Sequence, residues 1–346
     1  MQQQTLENQL GEVRHRKKIV DYQVYNNTFL EDEYAKESIE NILYDRMKNT
    51  LEHMSTLQKN GFLLSSYLEI GAERCQRSLV LENDLGLKGI AADISFDMLK
   101  SCDYYHIRFN KKRLPIRVCC DANKLPFLNN SIPFIFCYQT IHHFPDPIPI
   151  IQEFYRVLSP GGIFYFNEEP FKKVLHLGLY KSNEVGMKRL SRNILKKVMD
   201  YFFEIPSNEF GIVENDNISI NEWKKALEIF DIKDIYITNA LKLSDNLFFI
   251  DNYFKYLILY LLGGNISGVC KKNGLIKNNH FLSMEELFIC PDCFEDNEEN
   301  ILYRKEDNIF YCHKCESCFP IIDGVIFLLS SNNFTLLYPE LSKFKV

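Results

Sequence analysis

Between residues 63 and 166, five short apolar runs alternate with helix-like stretches, and few architectures accept that pattern. The runs are Tyr67–Ile70, Lys88–Asp93, Ile116–Cys120, Pro133–Tyr138 and Gly162–Asn167. Between them the sequence turns helical, notably over Phe96–Ser101 and Pro147–Leu158. The second stretch has Pro147 at a first-turn position and Gly161–Gly162 beyond its end. Strands that alternate with helices build βαβ units. The expected fold class is therefore α/β, a doubly wound, mostly parallel, Rossmann-like sheet. Ligands of such sheets bind outside the carboxyl ends of the strands, near the point where strand order reverses. Residues just after each apolar run are the ones to inspect.

The flanks suggest a division into four parts. Residues 1–60 read as an N-terminal helical segment whose first 30 residues are polar and mixed. A helical stripe follows from Ala35 to Leu57, with Ile39, Ile42, Leu43, Met47, Leu51, Met54 and Leu57 at steps of three and four, and Gly61 closes it. Residues 61–170 are the core. Residues 171–283 read as an acceptor-site or lid region with the end of the sheet. It has helical patterns at Leu190–Phe203 and Ile220–Phe230, a strand-like run at Ile232–Thr238 and a Gly-, Asn-, Ser- and Lys-rich linker from Gly263 to Ser283. Residues 284–346 are a small last domain. No run reaches the roughly 18–20 apolar residues of a membrane span. The nearest, residues 247–262, is interrupted by Asp251, Asn252 and Lys255. It reads as a buried helix, or else as a helix that lies on a membrane or grips an apolar substrate.

Charge and cysteine count narrow the class further. Lys and Arg number 40 against 46 Asp and Glu, a net charge of -6, which argues against a dominant nucleic-acid footprint. The 11 cysteines are odd in number, and the opening MQQQTLENQL has no apolar signal segment. The expectation is a reduced, cytoplasmic protein and not a disulfide framework.

The segment YLEIGAERC, residues 67–75, puts an acid and a glycine at a strand end. Asp93 follows at the end of the next strand, where a carboxylate can accept two hydrogen bonds from ribose hydroxyls. Asp121 ends the third strand, where it can accept from an exocyclic adenine amine, with the Ala122 amide nearby for a ring nitrogen. Taken singly, Asp93 also reads as a helix cap and Asp121 as an Asx turn. The joint pattern carries the claim.

That pattern resembles class I S-adenosylmethionine-dependent methyltransferases, especially their ubiquinone-biosynthesis-like branch. The resemblance covers about residues 63–170 and runs through LEIG, AADIS, CDANKLPF, IHHFPDP and EFYRVLSPGGIFYF. It implies that Glu69 and Gly71 face the methionine part of the cofactor, Asp93 the ribose and Asp121 the adenine. Glu73, Ile94, Ala122 and Gln139 complete the implied cofactor set. The family turn usually reads acidic-x-G-x-G-x-G, but here Glu73 and Cys75 stand where the second and third glycines belong. Either the turn is reshaped, with Glu73 adding negative charge near the sulfonium, or the cofactor site is lost.

Methyl transfer needs positioning and sometimes a base. Candidate catalytic residues are His142 and His143 after the fourth run, and Glu168 and Glu169 after the fifth. A structural role for the histidines, or a solvated or capping role for the glutamates, is the alternative. The (Asn/Asp/Ser)-Pro-Pro-aromatic tetrad of enzymes that methylate DNA, RNA and release-factor amines is replaced by QTIHHF. Oxygen, carbon or a small-molecule nitrogen is the expected acceptor. Tyr180, Trp223, Phe248, Phe249 and Tyr253 either line its pocket or belong to the core.

Cys290-Pro-Asp-Cys293 and Cys312-His-Lys-Cys315 are two CxxC knuckles separated by 18 residues, a pattern that fits tetrahedral zinc. Cys318 and His313 are alternative ligands. Residues 312–329 resemble the zinc ribbon of the small activator subunit of tRNA, rRNA and release-factor methyltransferases, which stabilises its partner by covering apolar surface and extending its sheet. With both halves in one chain, the ribbon is expected to dock in cis on the core. The leading reading is thus a zinc-stapled methyltransferase acting on a small or carrier-linked acceptor. A non-catalytic scaffold and an RNA- or translation-linked methyltransferase are the alternatives.

Overall fold

In a computed structural model the described residues are 2–26, 39–172, 174–175, 180–181, 204–205, 218–239, 242–249, 252–275 and 284–344. The expected alternation is there: β1 (Tyr67–Ile70), α3 (Gln76–Asn83), β2 (Gly89–Asp93), α4 (Phe96–Arg108), β3 (Ile116–Cys120), β4 (Ile132–Tyr138), α5 (Pro147–Val157) and β5 (Leu158–Phe171). Two helices precede it, α1 (Gln2–Asn26) and α2 (Ile39–Lys59). The apolar stripe of α2 is buried, and Ser95 and Asp146 cap α4 and α5 through their side chains.

After β5 come the short pair β6 (Tyr180–Lys181) and β7 (Glu204–Ile205), then α6 (Ile220–Leu227), β8 (Ile232–Thr238), β9 (Ser244–Asn246), α7 (Tyr253–Leu262) and β10 (Gly264–Lys271). The C-terminal part holds β11 (Tyr303–Glu306), β12 (Ile309–Tyr311), β13 (Cys318–Ile322), β14 (Val325–Leu328) and a helix over Ser331–Leu337. One 12-stranded sheet runs β11-β12-β13-β14-β3-β2-β1-β4-β5-β10-β8-β9. Strands β14, β3, β2, β1, β4 and β5 are parallel to one another. β10 and the strands of both outer edges are antiparallel to their neighbours. The order reverses between β1 and β4, which fixes where a ligand cleft opens.

The C-terminal strands belong to the same sheet as the core. β14 pairs with β3 from Val325↔Arg117 to Leu328↔Cys120. Phe327 packs on Phe96, and the Tyr338 hydroxyl accepts the Phe96 N–H at 3.0 Å.

The first residues form the long helix α1, and its Leu6, Leu10 and Val13 make a short stripe that packs with the core cluster around α4 and β14. Two expectations need correction. The stretch read as a linker contains β10, which lies between β5 and β8. Its Gly268 is demanded by packing, since a Cβ there would meet the Asp234 carbonyl at 2.6 Å. Helix α7 is not buried: only Leu259 is, while Tyr253 and Phe254 are 76% and 71% exposed. The helical reading of Leu190–Phe203 lies outside the described residues. No helix among the described residues is long and apolar enough to cross a membrane.

Candidate active site and four-cysteine cluster

A cavity of about 470 Å³ opens at the carboxyl ends of β1 to β5. Its wall includes Gly71 after β1, Asp93 at the end of β2 and Ile94 after it, Asp121 and Ala122 after β3, Gln139 and His143 after β4, and Glu168 near the end of β5. The opposite wall is α1, through Asn8, Gln9, Glu12, His15 and Arg16.

The turn after β1 keeps a glycine-like backbone without the glycines. Glu73 and Cys75 have φ of 47° and 58°, a left-handed conformation that costs a non-glycine residue roughly 1–2 kcal/mol. Gly71, at φ 70°, has no alternative, because a Cβ would lie 2.4 Å from Thr140 Oγ1. Gln139 (φ 49°) and Glu168 (φ 61°) are left-handed too, so strained backbone gathers around the cleft. The Glu73 carboxylate is drawn to Arg46 at 2.7 Å and Arg16 at 3.5 Å. Burial opposes its charge, but these guanidiniums overcome that and hold it below the usual carboxylate range. The negative charge expected from Glu73 is thus already neutralised by protein cations.

Asp93 accepts from the backbone N–H of Glu73 and of Ser95, both at 2.8 Å. Ser95, not Asp93, caps α4. Burial pushes the Asp93 carboxyl up to about 6. Asp121 forms the Asx-type turn with Asn123 at 2.8 Å and also accepts from Gln9 Nε2 at 2.6 Å. A carboxylate offers about four lone-pair sites. Two remain open on Asp93. One remains on Asp121, which also takes a bond from the Asn123 amide.

The four candidate catalytic residues separate. His142, His143 and Glu168 line the cavity; Glu169 does not. Glu169 is fully buried and accepts from the N–H groups of Thr140, Ile141 and His142 and lies 3.0 Å from His142 Nδ1. Burial works against its charge, yet His142 and the backbone donors keep it ionised below the usual range. Its place is that of a brace for the turn after β4. Burial and the neighbouring His142 push His143 down to about 4, so it is neutral near pH 7. Glu69 also stays out of the cavity: it accepts from Ser78 N and Oγ, and burial pushes it up to about 8. Trp223 is core, stacked on Phe166, and Phe248, Phe249 and Tyr253 do not line the cavity.

Sequence reasoning missed the α1 residues and Arg77. The signal for α1 was the Leu6, Leu10, Val13 spacing. Arg77 is the second residue of α3, directly beyond the glycine turn, and had no motif to mark it.

The sulfurs of Cys290, Cys293, Cys312 and Cys315 lie within 4.8 Å of one another, with Cys290–Cys315 at 3.4 Å and Cys293–Cys312 at 3.7 Å. Cys318 and His313 are outside this cluster; the His313 ring packs against Tyr303 and Tyr311.

A family model described as a methyltransferase domain matches residues 68–166. The malonyl-[acyl-carrier protein] O-methyltransferase of a Marinomonas species is 32% identical over 101 residues, 29% of this chain and 36% of that protein. The ubiquinone/menaquinone biosynthesis C-methyltransferase of Rickettsia typhi is 29% identical over 143 residues, 38% of this chain and 57% of that protein. The matches span between 25% and 57% of the length of these curated relatives. Among solved structures, a chain of the Haloferax volcanii complex of the Trm112 methyltransferase activator aligns at 15% identity, covering 68% of this chain and 94% of that one, with a TM-score of 0.43. The segment that matches the methyltransferase-domain model supplies most of the cleft wall, and it forms the parallel centre of an α/β, doubly wound, Rossmann-like sheet whose outer strands are antiparallel.

Proposed function

We propose that the protein is an S-adenosylmethionine-dependent methyltransferase for a small-molecule or carrier-linked acceptor, methylated on oxygen, carbon or a small-molecule nitrogen. The observation that carries this reading is the row of strand ends along one cavity: Gly71, Asp93 and Asp121 in the order methionine, ribose, adenine. The open lone pairs of Asp93 suit two ribose hydroxyls, and the one left on Asp121 suits the adenine amine, with Ala122 beside it. Ile94 and Gln139 add wall on either side. When bound, the cofactor supplies the activated methyl group. The chain's part is to orient the acceptor and exclude water, work that is worth about 7–11 kcal/mol in well-oriented reactions. Glu168, at the β5 end of the cavity, is the best placed of the carboxylates to receive an acceptor proton. The relatives' names give precedents for O- and C-methylation, and the net charge of -6 disfavours nucleic acid.

The scaffold reading draws on one observation: both cofactor carboxylates already have protein donors, Glu73 N on Asp93 and Gln9 on Asp121. Calorimetry with S-adenosylhomocysteine separates the two. Binding in the micromolar range, weakened at least about tenfold by Asp93→Ala, is the expected result. No binding up to about millimolar cofactor product favours the scaffold.

The four cysteines are proposed to hold zinc. A tetrahedral site with Zn–S of about 2.3 Å has sulfurs about 3.8 Å apart, which the 3.4 and 3.7 Å pairs approach. The ribbon is proposed to act in cis, as a permanent extension of the core sheet. The β14–β3 ladder supports that role.

A further inference from the structure

Arg77 is 6% exposed, yet it belongs to the wall of the cleft. Its guanidinium lies over the Tyr138 ring, 4.3 Å from the centroid, and its Nε is buried without a hydrogen-bond partner. The acids whose charge reaches it are engaged elsewhere. Glu69 is held by Ser78, and Glu73 by Arg46 and Arg16. Tyr138 is held in turn, its hydroxyl 3.2 Å from His53 Nδ1. A cation removed from water is unfavourable unless an anion joins it. A planar guanidinium backed by an aromatic face pairs best with a flat carboxylate through two parallel N–H···O bonds.

The position tells which carboxylate. Along the sheet the order is β3, β2, β1, β4, β5. Asp121 and Asp93 lie at β3 and β2, whereas Arg77 packs on the last residue of β4, across β1 from both. Neighbouring strands are about 4.8 Å apart. The nucleoside therefore lies over one flank of β1, and the acceptor enters over the other, toward Glu168 and Asn265.

We propose that Arg77 anchors a carboxylate carried by the methyl acceptor, so that the substrates are organic acids or carrier-linked acids. This inference rests on the methyltransferase reading. It makes Arg77 a positioning residue, with the group to be methylated held between it and the sulfonium.

The test uses full-length protein saturated with S-adenosylhomocysteine and titrated with malonate, its uncharged analogue malonamide, and inorganic phosphate. Arg77→Met keeps the packing on Tyr138 without the charge, and Arg77→Lys keeps the charge without the fork. The expected result is that malonate binds the wild type and malonamide does not. Arg77→Met should weaken malonate at least about tenfold, with partial recovery in Arg77→Lys and S-adenosylhomocysteine affinity unchanged in both. Equal binding of malonamide, tighter binding of phosphate, or malonate binding that ignores Arg77 overturns the proposal. So does loss of S-adenosylhomocysteine binding in the folded Arg77→Met protein, which assigns the guanidinium to the cofactor's own carboxylate. A wild type that binds S-adenosylhomocysteine but no malonate defeats this inference alone; one that binds neither defeats the methyltransferase reading with it.

Discussion

The cleft and the cysteine cluster are both assembled at the ends of strands, but they are held together in different ways. The cluster draws on Cys290 to Cys315, two tight knuckles near each other in sequence. The cleft draws on residues from Asn8 to Asn265 and includes three non-glycine residues in left-handed conformations, Glu73, Gln139 and Glu168. A local site held by one ion is lost all at once when a ligand is removed. A dispersed site, braced by α1, Glu169 and Arg46, yields in graded steps. The two also meet, because β14 is a strand of the sheet that carries the cleft.

The sharpest way to break the comparison is to remove two cysteines of the proposed zinc site. A Cys312→Ser, Cys315→Ser double variant should lose bound zinc, and with it an ion whose apparent contribution in zinc-finger peptides is about 10–16 kcal/mol. Val325, Phe327 and Leu328, now nearly fully buried, would be exposed together with the β3 edge. Elemental analysis and size-exclusion chromatography should find a zinc-free, aggregated protein. Deleting residues 284–346 should do the same. A monodisperse, zinc-free variant with an unchanged melting temperature would show that the cluster is not a staple.

Next comes the glycine turn. Gly71→Ala must pay for a left-handed alanine, about 1–2 kcal/mol, and for a Cβ placed 2.4 Å from Thr140 Oγ1. Cofactor affinity should fall by about tenfold or more, with a lower melting temperature. Unchanged calorimetry would mean that the turn tolerates a side chain and that Gly71 does not shape the cleft.

What the sequence revealed follows the same division. The strand runs β1 to β5 and the two CxxC knuckles were legible because their signals are local: apolar runs bounded by turns, and ligands at fixed spacing. Asp93 and Asp121 were found because one ends such a run and the other immediately follows one. Glu169 sits one residue from Glu168, and only the fold reveals that one faces the cleft and the other the β4 turn. β10 was hidden by its composition, since Gly264 and Gly268 serve close approach to Thr238 and Asp234 rather than flexibility. Arg77 was invisible because its importance depends on what surrounds it, not on any pattern in the chain.

The cavity wall contributed by α1 can be sharpened by a smaller change. Gln9 donates to Asp121 Oδ2 and fills one of the two acceptor sites on the oxygen whose other site stays open to an adenine amine. Removing the amide in Gln9→Ala frees that acceptor, and the net value of such a bond is about 1 kcal/mol. S-adenosylhomocysteine should bind about fivefold tighter. Weaker binding instead would make Gln9 part of the cofactor's own support.

The smallest expected effect is a pH dependence. Asp93 has its carboxyl raised from 3.8 to about 6 by burial. A raised value means that the native state holds the proton more tightly than the unfolded chain. The associated stability is fully present below about pH 4 and is lost as pH rises through about 6. The free protein should therefore lose a little under about 1 kcal/mol between pH 5.5 and 7 from this group. Binding runs the other way, because the ionised carboxylate is the better acceptor for two ribose hydroxyls. S-adenosylhomocysteine affinity should rise about threefold over the same interval. Asp93→Asn, neutral throughout, should flatten both trends. The cysteine cluster takes no part in this titration, so zinc content should stay constant across the interval, and a parallel change in both sites would mean that the ribbon and the cleft are coupled through β14 and β3.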